Sequence, residues 1–220
     1  MRYPYIQYAH NIIIAPLFKN LQGAPLIIDM SKESSIFDNM EVRDQREFQR
    51  RLDELMVDTY SWGLSSYLEN RQTILSDCPQ MVRESRFYHL GLDIIVPLET
   101  PLYAPLAATV KESGYEEGEG NYGGYVLLQH DNPGFDTFYS FYGHLQKKSL
   151  PGAGRQFAAG DAFALIGDFH ENGNWFYHTH LQIITKKGLE QGYLSKGYCT
   201  AADLSVMDSL CPDPLSLFRV

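Results

Sequence analysis

The sequence predicts a mainly β protein: an antiparallel sandwich- or barrel-like core preceded by a mixed α/β extension containing one or two helices. Three observations carry that expectation. After about residue 85 the chain falls into six short β-type runs separated by glycine and proline turns. Before that point one stripe of apolar residues recurs at helical spacing. Aromatic residues make up 13% of the chain, with 15 Tyr and 12 Phe, and such rings fit a pleated, half-buried surface.

Taken in order, residues 24–29 (APLIID) read as a short extended segment closed by the polar stretch 31–35. From about Asp44 to Leu55 the pattern is helical, because Phe48, Leu52, Leu55 and Met56 recur three and four apart among Arg, Glu and Gln. Residues 64–69 suggest a second short helix, and Asp77-Cys78-Pro79 marks a break. The β-type runs are 92–96, 109–112, 125–130, 137–142, 162–166 and 179–185. Gly114–Gly124, Pro133-Gly134 and Pro151-Gly152 supply turns between them, which favours antiparallel pairing. The tail after Ala201 reads as a short helix followed by proline-bounded coil. The expected division is therefore an extension over residues 1–85 packing on the core, a β core over 86–190, and a C-terminal tail over 191–220.

Bulk properties exclude several classes of function. Hydrophobic residues at 44% and charged residues at 20% describe a folded chain, and 220 residues can bury a core without disulfides. The net charge of −9 comes with no basic stripe to release phosphate counterions, so nucleic acid is not an expected partner. The pairs Lys147-Lys148 and Lys186-Lys187 read as solvated ends of strands or loops. No apolar stretch approaches the roughly twenty residues of a membrane span. Pro4, Gln7, His10 and Asn11 interrupt what a secretory signal needs as continuous apolar text. A cytoplasmic location is the expectation, with the periplasm or export as the alternative if a leader has been removed. Cys78, Cys199 and Cys211 lack C-x-x-C spacing and read as reduced thiols, with a Cys199–Cys211 bridge left open. The glycine-bearing loop over 114–124 has no G-x-G-x-x-G leading into a helix, which excludes a phosphate cradle.

Chemistry concentrates in four of the seven histidines and one aspartate. His89-x-x-x-Asp93 offers an imidazole and a carboxylate, both good zinc ligands, around Gly91, which permits a bend between them. His178-Thr179-His180 lies in a strand-type run, so both imidazoles project from one face. Two histidines sharing a face need partners, and metal binding or catalysis supplies them. His144, in Tyr142-Gly143-His144-Leu145, follows a strand into a loop. His130 ends a strand and reads as structural, His10 stands apart from these motifs, and His170 lies in a turn near the His178 pair.

Together these motifs, in this order, resemble the lysostaphin/LytM family of zinc metallopeptidases. That family carries H-x-x-x-D, then a histidine in a Y-x-H-L context, then H-x-H on a late strand. Residues 100–110 (TPLYAPLAATV), 125–130 (YVLLQH), Gly160-Asp161 and Ile166-Gly167 agree with its text, and the likeness runs from about 86 to 186. The resemblance implies a duplicated-hybrid-motif β core with one Zn2+ per chain, held by His89, Asp93 and His180. His144 and His178 would be the proton-handling pair of a metalloendopeptidase. A peptide or peptidoglycan fragment would be the substrate.

Two departures stand out. Gln182 replaces a common Glu two residues after His180, and the turn His170–Trp175 lacks the usual Ser/Thr-Gly loop. Trp175, Asn174 and Gln182 are candidates for substrate contact. Residues 26–31 and 63–71 and the turn 171–175 resemble, more loosely, peptidase-like domains within some bacterial multidomain aminotransferase proteins, which would point away from peptidoglycan. Two other classes compete. One is a non-catalytic module of the same fold, which the retention of all five positions disfavours. The other is a sugar-transport phosphocarrier, which would not need Asp93.

Overall fold

In the computed structural model, which describes residues 12–219, the strands found after residue 85 assemble into one large sheet and two small ones. His10 lies outside the described residues. The extension contributes β1 (Leu26–Ile27), helix α1 (Gln45–Met56), β2 (Gly63–Leu64) and helix α2 (Pro79–Glu84). The core follows with β3 (Tyr88–His89), β4 (Leu92–Ile95), β5 (Pro101–Tyr103), β6 (Ala108–Glu116), β7 (Gly123–Asn132) and β8 (Phe135–Leu145). It is completed by β9 (Gln156–Phe157), β10 (Ala162–Leu165) and β11 (His178–Thr185). Helix α3 (Lys186–Glu190) ends this stretch, and the tail adds β12 (Tyr198–Cys199) and helix α4 (Met207–Leu210).

The large sheet runs β1-β2-β4-β11-β8-β7-β6-β9. Only its β1–β2 edge is parallel; the other pairs are antiparallel. Its central strands are buried on both faces, which is why they read as nearly continuous apolar runs rather than alternating ones. In β8, Tyr142 points into a core shared with Val126, Leu128 and Leu181, roofed by Leu102 and Phe163 of the small β5–β10 sheet. Tyr139 and Phe141, of opposite parity, point the other way, against Met207, Leu210 and Cys211 of the tail. The tail is therefore a lid on the second face of the sheet.

Helix α1 forms where its stripe places it, between an Asp44 cap that accepts from the Glu47 N–H at 2.9 Å and a stop at Val57. Phe48 and Leu52 bury its apolar edge beside Phe37 and Phe176. Burial of one such side chain stabilises by roughly 1.5–3 kcal/mol, enough to hold a twelve-residue helix that would be marginal alone. The second helix is not at residues 64–69. Gly63 and Leu64 are taken by β2, paired with Ile95 and Ile94, and Leu68 is left-handed (φ 57°), so a helix cannot run through. It starts instead at Pro79, where the break was expected, because proline fits the first helical turn as well as it ends a preceding one. All three cysteines are unpaired. Among the described residues no helix is long and apolar enough to cross a membrane.

Candidate metal centre

Strand register brings the separated motifs together. In the β4–β11 ladder Asp93 stands directly opposite His180, and His178 opposite Ile95. Cross-strand partners lie about 4.5–5.5 Å apart at Cβ, so the carboxylate and imidazole meet without any loop having to place them. His89 enters from β3, whose backbone is pinned by the His89 N–H to Glu69 C=O bond and by pairing with Tyr198. Gly91 serves the site by clearance: a Cβ there would lie 2.5 Å from His180 Cε1 and 2.7 Å from Leu181 O.

The result is a group of three buried donors able to hold a metal ion: His89, Asp93 and His180. Asp93 Oδ1 lies 3.3 Å from His89 Nε2 and 3.4 Å from His180 Nδ1, and the two nitrogens are 2.8 Å apart. A tetrahedral zinc with bonds of roughly 2.0–2.1 Å sets its ligand atoms about 3.3 Å apart. Two of the three edges match and the third is short by about half an ångström on that scale. The far nitrogens are already used: His180 Nε2 donates to Gln182 Oε1 at 3.0 Å, and His89 Nδ1 faces Ser66 C=O at 3.5 Å. With protons on those far nitrogens, the near nitrogens turn lone pairs toward one point. Asp93 Oδ1 is buried with no hydrogen-bond partner at all. Three lone pairs facing each other away from water are unfavourable without a cation between them, so the residues present fit a divalent, nitrogen-tolerant metal.

The second oxygen of Asp93 is held from the extension. Arg71 Nη1 donates to Asp93 Oδ2, Nη2 to Ser65 Oγ at 2.7 Å, and Nε to Glu69 Oε2 at 2.9 Å. Ser65 Oγ also accepts from the Asp93 N–H at 3.0 Å. Burial alone would raise the Asp93 carboxyl, but the Arg71 guanidinium and the neighbouring imidazoles outweigh it and hold the group well below the usual carboxylate range. Glu69 moves the other way, because its burial outweighs Arg71. His89 is pushed down to about 3, first by burial and then by the charge of Arg71. It is neutral at ordinary pH, as a metal ligand must be.

His144 and His178 stand beside this group with ring centroids 4.3 Å apart. Each donates Nδ1–H to a backbone carbonyl, His144 to Asn172 at 2.7 Å and His178 to Phe176 at 2.8 Å. Both Nε2 atoms are therefore free of protons, and that of His178 lies 3.6 Å from Asp93 Oδ1. Burial holds His178 down to about 4 and His144 well below its ordinary range. His144 reaches this face only because β8 breaks its alternation. By parity it belongs with Tyr142, on the opposite side, but it adopts φ 64° next to a register shift between β7 and β8. A bulge with one left-handed residue re-aims the side chain, at a cost of about 1–3 kcal/mol that its surroundings must over-determine.

Around these groups lies a cleft of about 90 Å3, whose wall includes Arg71, Arg86, Tyr122, Trp175 and Tyr198. It adjoins a wider cleft of about 320 Å3 bounded by Cys78–Met81 and Asn174, and the two share Ile74, Gln80, Met81, Gly120, Asn121 and Trp175. Of the three candidates for substrate contact, Trp175 and Asn174 line these clefts. Gln182 does not: it is buried behind His180, where it accepts from that ring and donates to Lys196 C=O at 3.3 Å. Its position is that of an orienting group. His130 is buried, donating to Ala107 C=O and accepting from Ser140, away from the cleft. His170 is exposed beside Asp168. Sequence reasoning missed Arg71, Ser65, Arg86, Tyr122 and the Asn172 carbonyl. Ser65 and Arg71 lie in 63–71 and Asn172 in 171–175, stretches marked only by a loose resemblance that gave them no role, and each reaches the site through a contact distant in sequence.

Comparison with family models matches residues 87–191 to peptidase family M23. Among solved structures the chain is similar to a zinc containing peptidase from Vibrio cholerae, with 23% identity, 46% of this chain, 28% of that chain and TM-score 0.38. It is also similar to the catalytic domain of the antimicrobial peptidase lysostaphin from Staphylococcus simulans, with 19% identity, 59% and 77% coverage and TM-score 0.40. A third is the catalytic domain of the prophage-encoded M23 protein EnpA from Enterococcus faecalis, with 18% identity, 51% and 75% coverage and TM-score 0.38. The chain thus spans under a third of the Vibrio protein it matches. Comparison with curated proteins gave no match.

Proposed function

We propose that this chain, whose residues 87–191 match the model of peptidase family M23, is a zinc-dependent metallopeptidase that hydrolyses amide bonds, with peptidoglycan-type stem peptides as its substrate class. The observation that carries the reading is the convergence of three buried ligand atoms, on His89, Asp93 and His180, one of them an oxygen with no hydrogen-bond partner. In this reading these three residues hold the ion. When bound there, zinc supplies a Lewis acid and brings the pKa of a water ligand to about 7.

This chain's own residues do the rest. His144 and His178 present unprotonated Nε2 atoms to the cleft, fixed in that tautomer by the Asn172 and Phe176 carbonyls. One takes the proton from the attacking water and the protonated ring returns it to the leaving amine. The rings are 4.3 Å apart, so a proton on one discourages a proton on the other. That keeps one acceptor available while its neighbour is an acid. Burial of both rings excludes bulk water and strengthens each of these interactions.

The test is metal analysis of the purified chain with cleavage of muropeptides before and after chelation. One zinc per chain and chelator-sensitive release of an amine are expected. Zinc without cleavage would leave the metal site and remove the cell-wall substrate, and absence of any bound divalent metal would remove both.

A further inference from the structure

We infer that Arg86 is an anion anchor in the cleft beside the metal centre, so that the substrate presents a free carboxylate close to the amide that is cut. The inference deepens the peptidase reading above and rests on it for the position of the scissile bond.

Two guanidinium groups line the cleft, and they are used differently. Arg71 spends its donors on Asp93, Ser65 and Glu69. Arg86, at the end of the turn that follows α2, is just as inaccessible, with 8% of its side chain exposed. Its Nε lies 2.8 Å from Glu84 Oε2 but off the donor axis, so neither Nε nor Nη1 has a hydrogen-bond partner among the described residues. Buried donors on a charged group are costly when unmatched, and nearly all such groups in folded proteins find a partner. A ligand that accepts from the guanidinium removes the cost, and a carboxylate matches the planar fork of donors in two places.

The surroundings narrow the ligand. Arg86 shares the cleft with Asp93, His144, His178 and His180, and the space is only about 90 Å3. One extended residue spans about 3.3–3.6 Å, so a carboxylate at Arg86 sits within one or two residues of a carbonyl at the metal. Glu116 also borders the cleft and would repel a second negative charge, which favours a carboxylate over a phosphate dianion. The substrate class is then a peptide cut at or next to its C-terminal residue, rather than the interior of a long cross-link. Hydrolysis adds water across the amide: hydroxide goes to the acyl carbon, the C–N bond breaks, and the amine leaves with the proton.

The probes are N-acetylglycine, N-acetylglycinamide and inorganic phosphate, titrated calorimetrically into the protein as purified and after chelation, with zinc content measured separately. A hydrogen bond to a charged partner supports a preference for the acid over the amide of roughly tenfold or more. That preference is expected in wild-type protein with and without metal, lost in Arg86→Gln and partly kept in Arg86→Lys. Arg86→Gln should unfold close to the wild-type temperature, because the interaction it loses is the misaligned ion pair with the part-exposed Glu84. Equal binding of acid and amide, no binding of either, or a preference surviving in Arg86→Gln overturns the anchor, and tighter binding of phosphate overturns the carboxylate assignment. A preserved acid preference in protein that binds no zinc would sink the peptidase reading and leave the anchor. Stoichiometric zinc with no acid preference would do the reverse.

Discussion

Replacing Arg71 with Met should be the most damaging single change near the site, and the structure says why. Arg71, Glu69 and Asp93 have side chains 3%, 6% and 2% exposed, and the guanidinium bridges the two carboxylates. Without it, two buried acids face each other's charge with no buried cation between them. Breaking such a pair typically costs about 3–5 kcal/mol, because an uncompensated charge stays behind. For a chain of this size each kcal/mol moves Tm by roughly 2–4 °C, so a fall of about 6–20 °C is expected. Urea unfolding in chelator, followed by the fluorescence of Trp62 and Trp175, measures it without a contribution from metal. The decisive variant is Arg71→Met combined with Asp93→Asn. The amide removes the charge that Arg71 served, so the double variant should be more stable than the sum of the single losses by about 2 kcal/mol or more. Strict additivity, or an Arg71→Met cost below about 1 kcal/mol, would refute the claim that the extension neutralises the carboxylate.

Four further outcomes are expected. His180→Ala should lose zinc, whereas His178→Ala should keep it and lose turnover; equal metal loss, read by atomic absorption, would overturn the division of roles. Gly91→Ala drives a Cβ to 2.5 Å from the His180 ring and 2.7 Å from the Leu181 carbonyl, so it should destabilise by about 1–3 kcal/mol and weaken zinc binding in chelator competition. His144→Gly should be more stable than His144→Ala by about 1 kcal/mol, because φ 64° suits glycine and strains any other residue; an equal or reversed order in urea melts would remove the strain argument. Burial holds His130 down to about 4 from 6.5, so the unfolded chain takes up its proton first as pH falls. His130 therefore adds stability above pH 6.5 that is lost between 6.5 and about 4, on the order of 3 kcal/mol in full. His130→Gln should flatten that acid limb in pH-dependent urea melts, and an unchanged slope would count against it.

What could be read from the text alone follows from which contacts are periodic. His178 and His180 share a face because strands alternate, and that alternation is visible in any extended run. Asp93 needed only an antiparallel partner in the right register. His144 could not be placed this way, because its side chain reaches the site by violating the alternation through a left-handed residue at a bulge. The expected helix over 64–69 failed for a related reason: Leu64 has a helical neighbourhood in sequence but a strand partner in Ile94, and pairing overrides a weak local preference. Helix α2 was hidden by Pro79, a residue that serves equally to stop one element and to start another.

The largest gap concerns charge. Nothing in the spacing of Ser65, Glu69, Arg71 and Arg86 announces a site, yet these residues decide its electrostatics. Arg71 lies between Glu69 and Asp93, so the extension supplies both a cation for the carboxylate and an anion for the cation. Asp93 alone then offsets only half the charge of a divalent ion, and the neutral imidazoles offset none of it. Arg86 adds a further positive charge whose nearest acid, Glu84, is 41% exposed and misaligned. Glu116 also borders the cleft, so the imbalance is local to the Arg86 guanidinium rather than a net charge of the cleft. In the proposed reading, a peptide carboxylate on Arg86, with the scissile carbonyl toward His89, Asp93 and His180, would give that guanidinium the aligned acceptor it lacks.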